Sequence, residues 1–307
     1  VNSLKYVIIG NSAAAVGAVE AIRKNDTGGR IVIISNENHH TYSRPLISYL
    51  LMGKTDEEKM KYRDNDFYIE NRSILDDEGS RIIENHLKKS NIEFYLGRQI
   101  VEFKENTAVL DSNIQIPFDV LVLAVGVKPN ISLIKDIGGE TNRGILTDER
   151  CRTSIPDIYA AGDCCESMDI SSGVRKPMPL LPNAYMQGEC AGMNMSGKDF
   201  VFDKAIPMNA IGLFGEHIIT AGTYTGHVYC EADKNGFKKL FYSDNKLNGF
   251  IMIGNIEKAG IYTALIREKT PLDTLDFNLI CKMPGLMAFS KEERASKLGG
   301  VLNESMR

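Results

Sequence analysis

The chain has 307 residues, 43% hydrophobic and 25% charged, which fits one large or two to three small folded domains and excludes a disordered or collagen-like chain. A formal net charge of -4 leaves no basic field to gather nucleic acid. The longest largely apolar run, Phe118 to Val127, falls far short of the roughly 20 residues of a membrane helix, so no membrane partner is expected.

No cationic stretch leads into an apolar one at the start, so no secretory leader is expected. The 6 cysteines (Cys151, Cys164, Cys165, Cys190, Cys230 and Cys281) form no C-x-x-C or zinc spacing, and the 5 histidines form no ligand pair. Reduced thiols, a cytoplasmic location and no bound metal are the expectation. Cys164 and Cys165 are adjacent, and a disulfide between neighbours closes a strained ring, so both read as ordinary thiols.

Lys5 to Ile9 reads as a buried parallel strand, followed at once by Gly10-Asn-Ser-Ala-Ala-Ala15. Val16 to Lys24 has apolar residues at helical spacing, and Ile31 to Ile34 is a second strand that ends near Glu37. This is the order of a dinucleotide site. The turn is tight, its backbone can approach a pyrophosphate, and the helix start offers free N–H groups and positive dipole. Gly10, Ser12 and Ala15 stand where G-x-G-x-x-G/A is expected, with Ser12 replacing the middle glycine. Glu37 lies 22 residues beyond Ala15, at the distance of an acid that binds a ribose hydroxyl. Pro45 then biases Arg44 toward an extended backbone, a stiff mount for a guanidinium that meets a phosphate or a ring edge.

Leu75 to Lys89 reads as a helix with acids in its first turn and lysines in its last. Ile92 to Leu96 reads as a strand, residues 98 to 118 as a small meander, and Asp119 to Val125 as another buried strand. Asp157 to Asp163 reads as a short strand ending in small residues and an acid, suited to hold a polyol hydroxyl. Asn183 to Ser196 is a helix between Pro182 and Gly197. From about Ala205 the pattern is antiparallel: strands over 218–225, 227–232, 237–242 and 247–253, then a helix over 256–267.

Gly10-Asn-Ser-Ala-Ala-Ala, Tyr42-Ser-Arg-Pro-Leu, Val125-Gly-Val-Lys-Pro-Asn130, Arg152-Thr-Ser-Ile-Pro-Asp-Ile-Tyr-Ala-Ala-Gly-Asp163 and Ala184-Tyr-Met-Gln-Gly188 occur in this order. Together they resemble the FAD- and NAD(P)H-dependent pyridine nucleotide-disulfide oxidoreductase superfamily, in the branch of NADH:rubredoxin reductases and nitrite reductase flavin domains. The resemblance implies an α/β fold: a Rossmann-like FAD-binding domain with a parallel sheet and a β-meander, followed by an α+β C-terminal interface domain. It implies FAD as cofactor and NADH as substrate, with the pyrophosphate on Gly10, Ser12, Ala13, Ala14 and Ala15 and the adenosine ribose on Glu37. Arg44 and Pro45 would line the phosphate and flavin side, and Gly162 and Asp163 the ribityl chain. The helix bearing Asn183, Ala184 and Gln187 would aim its N-terminus at the flavin N1/O2 locus. No catalytic protein residue is implied, because the flavin carries the redox chemistry. The implied partner is a rubredoxin- or ferredoxin-like electron carrier, and a homodimer is compatible.

Two departures shape the expectation. No cysteine occurs from Tyr42 to Leu51, where relatives with a redox-active cysteine carry it, so dithiol chemistry is not expected. No second strand–glycine turn–helix unit for NAD(P)H is found either. The expected division is 1–71 and 117–204 for the two parts of the FAD-binding domain, 72–116 for a remnant of the NAD-binding domain or a substitute meander, and 205–307 for the interface domain. A stretch of one or more supersecondary units would then be absent between Asn71 and Ser73.

Overall fold

The computed structural model describes residues 5–9, 13–34, 75–89, 95–96, 98–119, 128–213, 215–234 and 236–289. Contacts divide the chain into two compact units, Leu75–Val127 and the rest.

In the larger unit, β1 (Lys5–Ile9) and β2 (Arg30–Ile34) pair in parallel, Tyr6 opposite Ile31 and Ile8 opposite Ile33. Helix α1 (Ala13–Asn25) connects them. It is a βαβ unit, as the apolar run, turn and helical spacing predict. Tyr6 and Ile8 are buried with Ala15, Ala18 and Ile22 of α1. Val7 and Ile9 are 47% and 65% exposed, so only one face of β1 is buried, whereas the run of apolar residues predicts two. The turn between α1 and β2 is closed by Asp26, whose carboxylate accepts from the Gly28 and Gly29 N–H groups at 3.0 and 2.7 Å and from the Tyr6 hydroxyl at 2.9 Å. The Gly29 N–H and the Tyr6 hydroxyl hold its pKa below the usual carboxylate range.

The smaller unit has one helix, α2 (Asp77–Lys88), and an antiparallel meander of β3 (Ile100–Lys104), β4 (Thr107–Leu110) and β5 (Gln115–Pro117). Asp76 caps α2 by accepting from the Gly79 N–H at 3.0 Å, with Asp77 and Glu78 in the first turn. The core of the unit includes Leu75, Ile83, Ala108, Val109 and Leu110, while every residue of β3 is exposed.

The larger unit resumes with α3 (Ser132–Lys135) and a small sheet of β6 (Ile145–Leu146), β7 (Cys165–Asp169) and β8 (Val174–Pro177). Asp169 closes the β7–β8 hairpin, fully buried, accepting from Ser171, Ser172 and Lys176. Residues 157–163 are not the expected strand. They make one bridge, Arg152 to Tyr159, and then turn. Asp157 at φ 62 and Gly162 at φ 89 break the extended run at both ends.

Helix α4 (Leu181–Met195) begins two residues before Asn183, because Pro182 fits the first helical turn, where its missing N–H costs nothing. A five-stranded antiparallel sheet follows: β9 (Met208–Leu213), β10 (Glu216–Gly222), β11 (His227–Asp233), β12 (Gly236–Ser243) and β13 (Lys246–Gly254), in spatial order 11-12-13-10-9. Asp244 and Asn245, both at positive φ, form the tight two-residue turn between β12 and β13. Helices α5 (Ala259–Arg267) and α6 (Phe277–Lys282) cover this sheet around Leu240, Phe250, Tyr262, Leu265 and Ile280. The Tyr262 hydroxyl donates to the Ile280 carbonyl at 2.9 Å. No helix among the described residues is long and apolar enough to cross a membrane.

Candidate functional site

Three parts of the larger unit meet: the start of α1, the turn at Gly162 and the start of α4. The contact between the helices is built on small residues. Ala14, Gly17, Ala18 and Ala21 lie on one face of α1, and Ala184, Gly188, Ala191 and Gly192 lie on one face of α4. A Cβ on Gly188 would land on the Ala14 carbonyl oxygen and lie 2.7 Å from its carbon and 2.8 Å from its Cα. A Cβ on Gly17 would meet the Tyr185 carbonyl, and one on Gly192 the Ala18 backbone. The two helices therefore touch backbone to backbone. Polar pairs flank this seam, with Lys24 to Glu189 at 3.1 Å and Asn25 Nδ2 to Ser196 Oγ at 3.2 Å.

Gly162 lies at the head of the seam in the left-handed region, which glycine alone enters without strain. A Cβ there would be 3.3 Å from the Ala14 side chain and 3.6 Å from that of Ala184. One turn thus touches both helix starts. Gln187 braces it from α4. Its Oε1 accepts the Gly162 N–H at 2.6 Å, and its Nε2 donates to the Ser167 hydroxyl of β7. The Cys165 thiol donates to Gly162 O at 3.2 Å and to Gln187 Oε1 at 3.4 Å, and the Cys164 thiol donates to Ala161 O at 3.5 Å. Burial, with the charge of Asp163, raises the pKa of both thiols, so they stay protonated and secure the turn. The adjacent cysteines are structural donors here.

Neither α1 nor α4 has an acid in its first turn, and no side chain caps α4 at Leu180. At α4 the first-turn dipole is therefore left without a side-chain cap or an acid to meet it. Helix α2 differs, because Asp76, Asp77 and Glu78 already serve its start. Asp163 is exposed beside the buried Gly162.

Of the residues singled out from sequence, Ala13, Ala14, Ala15, Gly162, Asp163, Asn183, Ala184 and Gln187 are described, and the contacts among Ala14, Gly162, Ala184 and Gln187 draw this set together. Asn183 is buried and donates to the Ile206 carbonyl at 3.2 Å, tying α4 to the segment ahead of β9. Gly10, Ser12, Glu37, Arg44 and Pro45 lie outside the described residues, as do Asn71 and Ser73. Sequence reasoning missed Gly17, Gly188, Gly192 and Ser167. The small-residue spacing on both helices is the signal that finds the glycines. For Ser167 there is none.

These features fit FAD. The glycine turn packs closely on two helix starts without acids, and an exposed carboxylate stands next to it.

Residues 67–188 match the family model described as pyridine nucleotide-disulphide oxidoreductase. The chain is 23% identical to the NADH-dependent phenylglyoxylate dehydrogenase subunit epsilon of Aromatoleum evansii over 88% of this chain and 93% of that one. It is 30% identical to the NADH-rubredoxin oxidoreductase of Clostridium acetobutylicum over 59% of this chain, and spans less than half (45%) of that relative's length. The fold is like that of the ferredoxin reductase for the CYP199A2 system from Rhodopseudomonas palustris, with a TM-score of 0.77 and 17% identity, covering 92% of this chain and 99% of that one. The Aromatoleum alignment is 393 positions long but uses only 88% of 307 residues, so well over a quarter of its positions are filled by the relative alone.

Proposed function

We propose that this chain, whose residues 67–188 match the pyridine nucleotide-disulphide oxidoreductase family model, is an FAD-dependent NAD(P)H oxidoreductase that passes electrons to a rubredoxin- or ferredoxin-like carrier. The observation that carries the reading is the meeting of two acid-free helix starts with the left-handed turn at Gly162. Bound FAD supplies the conversion of a two-electron hydride into single electrons. Ala13, Ala14 and Ala15 would hold the pyrophosphate with backbone N–H groups, completed by Gly10 and Ser12. Glu37 would take the ribose, and Arg44 and Pro45 the phosphate and flavin side. Gly162 would let the chain approach closely, and Asp163 would accept from the ribityl hydroxyls. Gln187 acts one step back, because its amide is engaged by Gly162 and Ser167. Each open helix start would favour negative charge by about 0.3–1 kcal/mol. With no cysteine from Tyr42 to Leu51, electrons leave without a dithiol step.

Support for the acceptor class comes from the names of the relatives, a rubredoxin oxidoreductase and a ferredoxin reductase. A second reading has its own support. The Aromatoleum alignment leaves over a quarter of its positions to the relative alone, and a stretch absent between about Asn71 and Ser73, with 72–116 as a remnant of the NAD-binding domain or a substitute meander, would account for them. In that reading the chain keeps FAD but lacks a nicotinamide cradle and serves as an electron-relay subunit.

Anaerobic stopped-flow separates the two. The purified chain with bound FAD is mixed with NADH, then with rubredoxin or ferredoxin. Rapid loss of the flavin's visible absorbance, with return on adding the carrier faster than with O2, is the expected result. Bound FAD that NADH leaves unbleached would establish the relay reading. A chain that takes up no FAD would overturn both.

A further inference from the structure

Strand β11 is one edge of the C-terminal sheet. It pairs with β12 on one side and, among the described residues, with no strand on the other. Every residue of it but Tyr229 is exposed. At the opposite edge β9 is better covered, half-buried over Met208 to Ala210 and buried at Ile211. An open edge invites another strand, and proteins usually blunt it with a proline, a lysine or a bulge. The seven residues of β11 hold none of these, and their register with β12 runs from His227–Tyr242 to Asp233–Gly236 without a shift. The two faces of the strand differ. His227, Tyr229, Glu231 and Asp233 share one, where Glu231 pairs with Lys238 at 2.7 Å and accepts from the Tyr229 hydroxyl at 3.3 Å. Val228, Cys230 and Ala232 share the other.

We propose that β11 is the docking surface for a second copy of this chain, the two strands pairing antiparallel about a two-fold axis at Cys230. A two-fold contact needs one patch that complements itself. An axis at residue 230 sets 229 against 231, 228 against 232 and 227 against 233, so both members of each pair lie on the same face. On the polar face, the His227 imidazole, a donor, stands opposite the carboxylate of Asp233 of the second copy. The Tyr229 hydroxyl stands opposite the carboxylate of Glu231 of the second copy, the same two groups that bond within one chain. On the other face, Val228, 47% exposed, stands opposite Ala232 of the second copy, and the two Cys230 side chains meet on the axis. No pair sets like charges against each other, which would oppose the contact. Cys230 is the middle of the seven residues, so this register alone pairs the whole strand, an edge of about 24 Å. The backbone groups on the open side of β11 gain partners, and two five-stranded sheets become one continuous sheet.

Residue 230 faces its own copy, so a charge placed there meets itself. The full chain is followed by sedimentation velocity over a concentration series, as wild type, Cys230→Ser, Cys230→Arg and Cys230→Glu. Wild type and Cys230→Ser should dimerise alike. Cys230→Arg and Cys230→Glu should each raise the dimer Kd roughly tenfold or more, because two like charges then lie one strand spacing apart. An equimolar mixture of the two charged variants should recover the dimer, now as a pair of unlike chains. A wild type that stays monomeric up to its solubility limit, charged variants that dimerise as the wild type does, or a mixture no better than either variant alone overturns the proposal. A second measurement needs no variant. Unlabelled and heavy-isotope wild-type chains are mixed, bridged with a short bismaleimide and mapped by mass spectrometry. A Cys230–Cys230 peptide joining one light and one heavy chain is expected, and its absence from a sample that sediments as a dimer overturns the proposal. Both measurements are independent of flavin content and of NADH.

Discussion

Gly188→Ala tests the seam between α1 and α4 most directly. In an exposed helix interior, replacing glycine by alanine stabilises by about 0.5–1 kcal/mol, because alanine loses less backbone entropy. At Gly188 the added methyl meets the Ala14 carbonyl oxygen, with the carbonyl carbon at 2.7 Å and Cα at 2.8 Å. These are backbone atoms of a helix and cannot rotate away, so the helices must part. Overpacking of this kind costs about 1–3 kcal/mol, or more where relaxation is blocked. A net loss of roughly 2 kcal/mol is expected, which lowers the melting temperature by about 4–8 °C in a domain of this size. The control is Gly260→Ala on α5, where a Cβ meets nothing within 4 Å and the same change should leave stability level or raise it. The assay is thermal unfolding of both variants alongside the Kd for FAD, because parting the seam also moves the α4 start from Gly162. A Gly188→Ala protein that melts with Gly260→Ala and binds FAD as the wild type does would refute the close approach.

The glycine at the head of the seam makes a finer case. Gly162→Ala and Gly138→Ala both place alanine in the left-handed region, at φ 89 and φ 81, at a cost of about 1–2 kcal/mol each. Only Gly162→Ala also crowds Ala14 and Ala184, so it alone should raise the Kd for FAD, by titration of flavin fluorescence. Gln187→Leu leaves the buried Gly162 N–H without its acceptor, and urea unfolding should show a loss of about 1–3 kcal/mol. Stability should also fall in acid. Asp26 and Asp169 are held below the usual carboxylate range, Asp26 by the Gly29 N–H and the Tyr6 hydroxyl, Asp169 by Lys176, Ser171 and Ser172 against the opposing effect of burial. A lowered folded pKa means the unfolded chain binds more protons, so this stabilisation is full above about pH 4 and is lost as pH falls further. Melting temperature plotted against pH should drop below pH 4, and Asp169→Asn should flatten the drop.

Several elements are legible from one residue to the next. The apolar run at Lys5–Ile9, the turn and the spacing of α1 announce a βαβ unit, and β1, α1 and β2 form one. Acids ahead of Ile82 and lysines after it mark α2, and the structure adds only that Asp76 is its cap. The antiparallel C-terminal strands follow from alternation and turn residues. Two extended readings failed for local reasons of another kind. Residues 157–163 have the composition of a strand, but positive φ at Asp157 and Gly162 bends them. The apolar run of β1 suggests two buried faces, yet Val7 and Ile9 are exposed.

The candidate site divides in the same way. The motif order around Gly10, Asp163 and Ala184 points to a cofactor and names the residues for it, because each motif is a short pattern with its own backbone demand. What those residues do for one another is set by partners far apart in the chain. Gln187 reads as a ligand-facing residue of a helix start, but its amide is engaged by Gly162 and Ser167. Gly188 ends a motif in the sequence, and only the structure shows the Ala14 backbone beneath it. The amino-acid sequence alone determined most of the helices and strands, since these depend on residues one to four positions apart. Tertiary structure alone decided which backbones touch and which carbonyls and amides pair across α1, the Gly162 turn and α4, because contact across a long loop depends on packing that no local pattern encodes.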